Sequence, residues 1–97
     1  MTIPVPQGFR LTAVPCGIKA DPTREDLTLI VADRPAIAAG VYTQNLVCAA
    51  PVTVDRQRTP SDKIRAVCVN SGNANACNGQ RGLQDALTMA QLAASAC

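Results

Sequence analysis

The sequence predicts an α/β fold in which a mixed or mainly antiparallel sheet packs against one long C-terminal helix. Residues 27–32 and 64–69 are mostly apolar and rich in β-branched side chains, as buried strands are. In residues 80–96, leucine and alanine recur every three or four positions, which predicts an amphipathic helix. A stretch of small and amide residues, 70–79, joins the second run to this helix. Sites of α/β proteins are commonly built on such strand-to-helix loops.

The first half of the chain predicts three strands. Residues 9–16 alternate in part between apolar and polar side chains and end at a proline and a glycine, which indicates a strand. Residues 27–32 and 36–43 are predicted as the second and third strands. The connection between them, at 33–35, is short and contains a proline. We therefore expect these two strands to pair as an antiparallel hairpin.

In the second half of the chain, the sequence pattern predicts one strand, at 64–69, and one helix, at 80–96. The residues before them give weaker signals of secondary structure. Residues 44–50 are ambiguous and could form a short helical turn, whereas residues 52–54 favour a strand and residues 55–63 a polar loop. The helix at 80–96 reaches the end of the sequence without a glycine cap or a returning strand. In an α/β unit such a helix leads back to the sheet. We therefore expect residues 1–97 to form a single partial domain, with no second domain.

The composition argues against nucleic acids and membranes as partners. The apolar fraction of 47% and the charged fraction of 16% are typical of a globular chain. A net charge of +2, with scattered basic residues and only two aromatic ones, does not make a nucleic-acid surface. No run approaches the ~18 apolar residues of a membrane span. The N-terminus lacks the charged and apolar regions of a signal peptide, so we expect a cytoplasmic protein.

The chain lacks the residues of the commonest catalytic and metal sites. It contains no histidine, which excludes a Ser-His-Asp or Cys-His arrangement within it. Its five cysteines include no CxxC pair, so we expect reduced thiols and no metal site. A zinc site at Cys68 and Cys77 would lack the usual short ligand pairs. Catalysis would need another base, such as an α-amino group.

Several motifs follow one another over nearly the whole chain. They are Pro6-Gln7-Gly8-Phe9, Gly17-Ile18-Lys19, Asp26-Leu27-Thr28-Leu29-Ile30, Ala39-Gly40-Val41-Tyr42-Thr43-Gln44-Asn45 and Asn70-Ser71-Gly72-Asn73-Ala74-Asn75-Ala76-Cys77. In these motifs the chain resembles the N-terminal part of the α chain of the ornithine acetyltransferase family, the glutamate N-acetyltransferases of arginine biosynthesis. Two residues depart from the family pattern: Tyr42 stands for a phenylalanine, and Asn78 for a threonine.

The resemblance implies an activity that the chain would not perform alone. Family members cleave themselves before an internal threonine, which then carries the acetyl group from N-acetylornithine to glutamate. Some members also use acetyl-CoA as a donor, and no cofactor is expected. The nucleophilic threonine and the Thr-Gly oxyanion stretch are expected beyond Cys97, so no residue of this chain is assigned a catalytic role.

The resemblance also implies partners and a layered fold. The expected partners are the remainder of the α chain and the β chain of the same precursor, in an α2β2 assembly. The expected small-molecule substrates are N-acetylornithine and glutamate. The fold of the family is a layered α-β-β-α arrangement shared with Thr-nucleophile peptidases, of which this chain would form a part.

The amide-rich loop is the one candidate site within the chain. Its amides and N–H groups are candidates to support the acetyl-transfer pocket; the residues are Asn70, Ser71, Gly72, Asn73 and Asn75. The alternative interpretation is structural, with the glycine and the asparagines forming a tight turn that places the helix. Caps and turns account for most such residues, which favours the structural interpretation. Lys19 could meet a substrate carboxylate, although isolated lysines are usually solvated.

Two other functions stay open at the level of sequence. The chain could be a non-catalytic truncated or assembly fragment, because it has few aromatic residues and an unterminated helix. It could also belong to a related Thr-nucleophile amidase or aminopeptidase with a similar frame. Substrate profiling would separate the second alternative from acetyl transfer.

Overall fold

A computed structural model describes residues 4–97 of the chain. In order, these residues form the elements β1 (Phe9–Val14), β2 (Leu27–Ala38), α1 (Ala50–Arg58), β3 (Ser61–Asn70) and α2 (Gly79–Ala96). The strands make one antiparallel sheet in the order β1-β2-β3. The α/β class and the antiparallel sheet are therefore confirmed, and α2 lies where the C-terminal helix was predicted. Helix α1 is a second helix that the sequence did not predict.

Strand β2 is longer than expected, and the predicted hairpin at 33–35 is wrong. The strand runs without a turn from Leu27 to Ala38 and pairs with β1 on one side and β3 on the other. Pro35 is tolerated because the pairing with β1 begins at Ala32, and the pairing with β3 is irregular between Val31 and Ala36. A proline cannot donate a ladder hydrogen bond, so it fits a strand only at such an unpaired or bulged position.

Helix α1 occupies a segment that β propensity assigned to a strand and a loop. The β-branched residues at 52–54 favour a strand, yet Pro51 stands in the first turn of the helix, where a missing N–H costs nothing. Val54 is 4% exposed, so tertiary packing decides the conformation here. The short helical turn expected at 44–50 is also wrong, because the helix begins only at Ala50.

The two faces of the sheet differ in how far their side chains are buried. On β3 the half-buried residues include Ile64, Ala66 and Cys68, and α2 contacts this strand and α1. The opposite face carries exposed apolar side chains: Phe9 is 39% exposed, Leu11 50%, Val67 51% and Val69 47%. We call these four residues the open face. Leu11 and Val67 both stand opposite Ile30 across the sheet, so the open face spans all three strands.

Candidate functional site

The amide-rich loop leaves the end of β3 and leads into α2 with an unusual backbone. Gly72 has φ of +96° and Gly79 has φ of +59°. Cys77 has φ of +59°, a conformation that is uncommon for a residue with a side chain. These positive φ values allow the chain to reverse between the strand and the helix, which explains the choice of small residues in the loop.

Most amides of the loop are used to hold the loop itself. Asn70 Nδ2 donates to the carbonyl of Asn73 at 2.8 Å. Asn75 Nδ2 donates to the carbonyl of Gly82 in α2 at 2.7 Å, and Asn75 Oδ1 accepts from Asn78 Nδ2 at 2.9 Å. The carbonyl of Asn75 accepts from the N–H of Ala50, the first residue of α1, at 3.1 Å. Asn75 therefore ties the loop to both helices.

The hydrogen bond between Asn75 and α2 depends on a glycine in the helix. Gly82 is buried, and a Cβ placed on it would lie 2.6 Å from Asn75 Oδ1 and 2.7 Å from Asn78 Cβ. No real Cβ approaches other atoms so closely. The helix thus needs a residue without a side chain at position 82 in order to seat the loop.

A buried carboxylate that the sequence did not single out as a site residue organises the neighbouring turn. Asp26 is 3% exposed and stands just before β2. Its Oδ1 accepts from the N–H of Cys16 at 2.7 Å, and its Oδ2 accepts from the N–H groups of Ile18 and Lys19 at 2.8 and 2.9 Å. In the sequence, the only signal was an acidic residue directly before an apolar run. That pattern does not reveal from which N–H groups the carboxylate will accept hydrogen bonds.

The same residue connects this turn to the amide-rich loop. The N–H of Asp26 donates to the carbonyl of Val14 at 3.1 Å, and its carbonyl accepts from the N–H of Ser71 at 2.9 Å. Gly72 lies against the turn, because a Cβ on it would be 2.8 Å from Lys19 Cγ and 3.3 Å from Ile18 Cγ2. Asp26 therefore joins residues 16–19 to the start of the loop. We call these two segments, 16–19 and 70–72, the paired turns.

Asp26 is kept ionised by its surroundings. The N–H groups of Lys19 and Cys16 lower the pKa of this carboxyl from 3.8 to about 2, while burial acts in the opposite direction. The hydrogen bond to Asp26 raises the pKa of the Cys16 thiol, and burial raises the pKa of the Cys68 thiol. Both thiols are therefore poorer sources of a thiolate nucleophile than an ordinary cysteine.

We expect the fold to lose stability in acid through Asp26. A carboxyl whose pKa is lowered on folding stabilises the folded state above its unfolded pKa and ceases to do so as the pH falls towards its folded pKa. The loss should therefore occur between about pH 4 and pH 2, given a folded pKa of about 2. Thermal unfolding of the chain at pH 5 to 2 measures it. The Asp26→Asn variant should start less stable and fall less steeply over this range, and an equal slope would contradict the assignment.

The predicted site residues are only partly brought together. Ser71 and Gly72 lie at the paired turns, and Asn70 is beside them at the end of β3. Asn75 instead faces the helices, and the side chain of Asn73 takes no part in the bonds described above. Whether any of the five touches a substrate stays a prediction.

Neither Thr43 nor Ser71 has a carboxylate or amine bonded to its hydroxyl in the described part of the chain. Thr43 Oγ1 accepts from the N–H of Asn45 at 3.1 Å, as in a turn. Ser71 is bound through its backbone N–H. Within residues 4–97 there is no cluster of three histidine, cysteine or acidic residues that could hold a metal, and the cysteines there are unpaired. Three of those cysteines, Cys16, Cys77 and Cys97, are exposed rather than buried.

Two shallow cavities lie away from the paired turns. One, of about 410 Å³, lies between α1 and the loop before it, where Arg56 Nη2 donates to the carbonyl of Thr43 at 2.7 Å and its guanidinium stands 5.7 Å from the centre of the Tyr42 ring. The other, of about 490 Å³, lies between Gly8 and the irregular part of β2. Neither helix in the described residues is long and apolar enough to cross a membrane.

Comparison with known proteins assigns the chain to a family. A profile of the ArgJ family matches residues 10–97. Among curated relatives, the arginine biosynthesis bifunctional protein ArgJ of Geobacter sulfurreducens is 56% identical over 88 residues, which cover 91% of this chain and 22% of that protein. The protein of the same name from Rhodopirellula baltica is 52% identical over 90 residues, which cover 93% of this chain and 22% of that protein.

Two solved structures share the fold described above. An ornithine acetyltransferase from Mycobacterium tuberculosis, solved in complex with ornithine, superposes with a TM-score of 0.82 at 45% identity, over 88% of this chain and 44% of that one. The ArgJ protein of Bacillus halodurans superposes with a TM-score of 0.80 at 45% identity, over 89% and 44% of the two chains. The chain thus spans about a fifth of the length of its curated relatives. Because the profile match extends over almost all of its sequence, the chain belongs to the ArgJ family.

Proposed function

We propose that the chain serves as the N-terminal part of a glutamate N-acetyltransferase that moves an acetyl group from N-acetylornithine to glutamate. The observation that carries this proposal is the TM-score of 0.82 with an ornithine acetyltransferase solved with ornithine bound. Sequence identity of 45% between the two supports a shared site as well as a shared fold. The names of the curated relatives, which are arginine biosynthesis proteins, support the same pathway.

The role proposed for the chain is to build the frame of the site. Thr43 and Ser71 have no base bonded to their hydroxyls in the described residues, so the acetyl group would be carried by a threonine nucleophile outside this sequence, with a Thr-Gly pair stabilising the oxyanion. The paired turns would support that pocket from one side. The partners in this proposal are the remainder of the α chain and the β chain, in an α2β2 assembly, and residues 1–97 form one part of a larger domain. The proposal includes no cofactor, keeps acetyl-CoA as a candidate second donor, and places the enzyme in the cytoplasm.

The open face supports the layered fold that belongs to this proposal. Its four apolar residues lie on one side of the sheet, whereas on the other side the residues of β3 are half-buried and α2 contacts that strand. Two sheets packed face to face bury such residues in the layer between them. We infer that the open face packs against a second sheet, which gives the α-β-β-α order of layers.

A chimaera tests the proposed function. The matched segment of the Geobacter sulfurreducens protein, which is 56% identical to this chain, is replaced by the corresponding residues of this chain. We expect the chimaera to cleave itself and to transfer acetyl groups from N-acetylornithine to glutamate within about tenfold of the parent's rate, a difference of ~1.4 kcal/mol in activation energy.

The controls separate folding from function. The 97-residue chain alone should show no transfer, because it lacks the proposed nucleophile. The parent protein without its matched segment should not assemble. A chimaera that folds and cleaves itself but does not transfer acetyl groups would overturn the proposal.

A further inference from the structure

One peptide bond of the amide-rich loop joins an asparagine to a glycine. Asn78 precedes Gly79, the first residue of α2, and both residues are exposed. The residues that follow the other four asparagines all carry a side chain; those asparagines are Asn45, Asn70, Asn73 and Asn75. A glycine has no Cβ and adopts many backbone conformations, so the main-chain nitrogen of Gly79 is unusually open to approach.

The nitrogen of Gly79 is also free of other bonds. Its N–H lies in the first turn of α2, where a helix offers no partner of its own, and residues 4–97 supply no other acceptor. A Cβ placed on Gly79 would meet no atom within 4 Å, so the space around it is open. Loss of the proton from this nitrogen therefore breaks no hydrogen bond, and the nitrogen can react with the neighbouring side chain.

The folded loop restrains the side chain that this nitrogen would attack. Asn78 Nδ2 donates to Asn75 Oδ1 at 2.9 Å, and Asn75 is itself held by its bond to the Gly82 carbonyl at 2.7 Å. The ψ of Asn78 is 7°. Its Cγ and the nitrogen of Gly79 can close a ring only after rotation about the Cα–C bond. The bond to Asn75 thus holds in place the amide that the following glycine makes reactive.

We propose that Asn78 is a site of spontaneous deamidation and that its hydrogen bond to Asn75 controls the rate. The main-chain nitrogen of Gly79 loses its proton and forms a bond to Asn78 Cγ, while the bond from Cγ to Nδ2 breaks. The amide nitrogen takes up a proton and leaves as ammonia. Water then opens the cyclic imide at either of its two carbonyls, which yields aspartate or isoaspartate.

The isoaspartyl product is expected to loosen the start of α2. Its main chain runs through the former side chain, which lengthens the path between residue 78 and Gly79 by a methylene group. The carbonyl of Asn78, which accepts from the N–H of Gly82 at 3.3 Å, becomes a free carboxylate. The donor to Asn75 Oδ1 is lost as well. Aspartate keeps the normal main chain, and a helix N-terminus favours a carboxylate, so aspartate is the milder product.

Peptide mapping by mass spectrometry tests the site in the 97-residue chain, incubated at mildly alkaline pH. The exchange of –NH2 for –OH is followed at every asparagine. We expect Asn78 to react about tenfold faster than any other asparagine, a barrier lower by ~1.4 kcal/mol. The rate should rise with pH, because the nitrogen must lose its proton. The Asn78→Thr variant should contain no asparagine that reacts at a comparable rate.

Two alanine variants test the control by Asn75. Asn75→Ala removes the acceptor and should speed deamidation of Asn78 by about two- to tenfold, the factor that corresponds to one ordinary hydrogen bond. Asn73→Ala removes an exposed amide of the same loop that bonds neither residue, and should leave the rate unchanged. In guanidinium chloride the hydrogen bond is absent, so the unchanged chain should react faster than in buffer and at the same rate as Asn75→Ala.

Each result supports or overturns one part of the proposal. A rate at Asn78 no greater than at the other asparagines would overturn the site. Equal rates for the unchanged chain in buffer and in denaturant, or for the unchanged chain and Asn75→Ala in buffer, would overturn the control by Asn75. The purified isoaspartyl form should unfold at a lower urea concentration than the fresh chain. An equal midpoint would contradict the loosening of α2, and none of these measurements depends on acetyl transfer.

Discussion

Replacing Gly82 with valine is expected to detach helix α2 from the amide-rich loop and to destabilise the chain by about 3 kcal/mol or more. Overpacking of a filled site costs about 1–3 kcal/mol. The new side chain would also push away Asn75, whose amide bonds to the Gly82 carbonyl at 2.7 Å, and each buried polar group left without a partner costs a further ~1–3 kcal/mol. The midpoint of urea unfolding, compared with that of the unchanged chain, measures the loss.

A smaller substitution at the same position, Gly82→Ala, is compared with Thr88→Ala, a matched control that changes helix propensity alone. Alanine is preferred to glycine within helices by about 1 kcal/mol, so a loss of stability in Gly82→Ala would show that the clash outweighs propensity. Thr88→Ala, at an exposed position of α2, should be neutral or slightly stabilising. If Gly82→Ala stabilised the chain as much as Thr88→Ala does, the close packing against Asn75 would be refuted.

The sequence predicted those elements whose local pattern agrees with their tertiary setting. Helix α2 has a clear apolar stripe, and the structure places it at Gly79–Ala96. The run at 64–69 is apolar and β-branched, and it lies within β3. The local sequence pattern gave the wrong secondary structure where tertiary packing or strand pairing decides the conformation. Helix α1 contains β-branched residues but is helical around the buried Val54. Pro35 lies inside a strand, where a turn was predicted. Neither choice is visible in a window of a few residues.

The candidate site shows the same limit. The amide-rich loop was predicted from composition, and its position between β3 and α2 is confirmed. Asp26 was not predicted, because its three N–H partners lie seven to ten residues earlier in the chain and meet it only when β1 and β2 pair. The approach of Gly72 to Lys19 joins two segments that are far apart in the chain, so it could not be predicted without the sheet.

A charge on the open face is expected to prevent the folding and self-cleavage of the chimaera while leaving the 97-residue chain nearly unaffected. Val67 lies on β3 within the open face and is 51% exposed here. In the chimaera, a second sheet would cover it, and the Val67→Glu variant would then bury a carboxylate without a partner, at a cost of about 3–5 kcal/mol. We expect that variant to yield no soluble, self-cleaved protein. In the 97-residue chain, the same change should shift the free energy of unfolding by less than about 0.5 kcal/mol, as most surface substitutions do.

The effect of Val67→Glu in the 97-residue chain, compared with its effect in the chimaera, tests whether a second sheet covers the open face. A defect caused by β3 itself would harm the 97-residue chain and the chimaera alike, whereas loss of a sheet-on-sheet contact harms only the chimaera. Lys63→Glu places the same charge at the exposed, polar beginning of β3 and should be tolerated in both. A soluble and active Val67→Glu chimaera would mean that the open face stays in contact with water. The layered arrangement would then be wrong for this chain, even though its strands and helices superpose on those of the ornithine acetyltransferase.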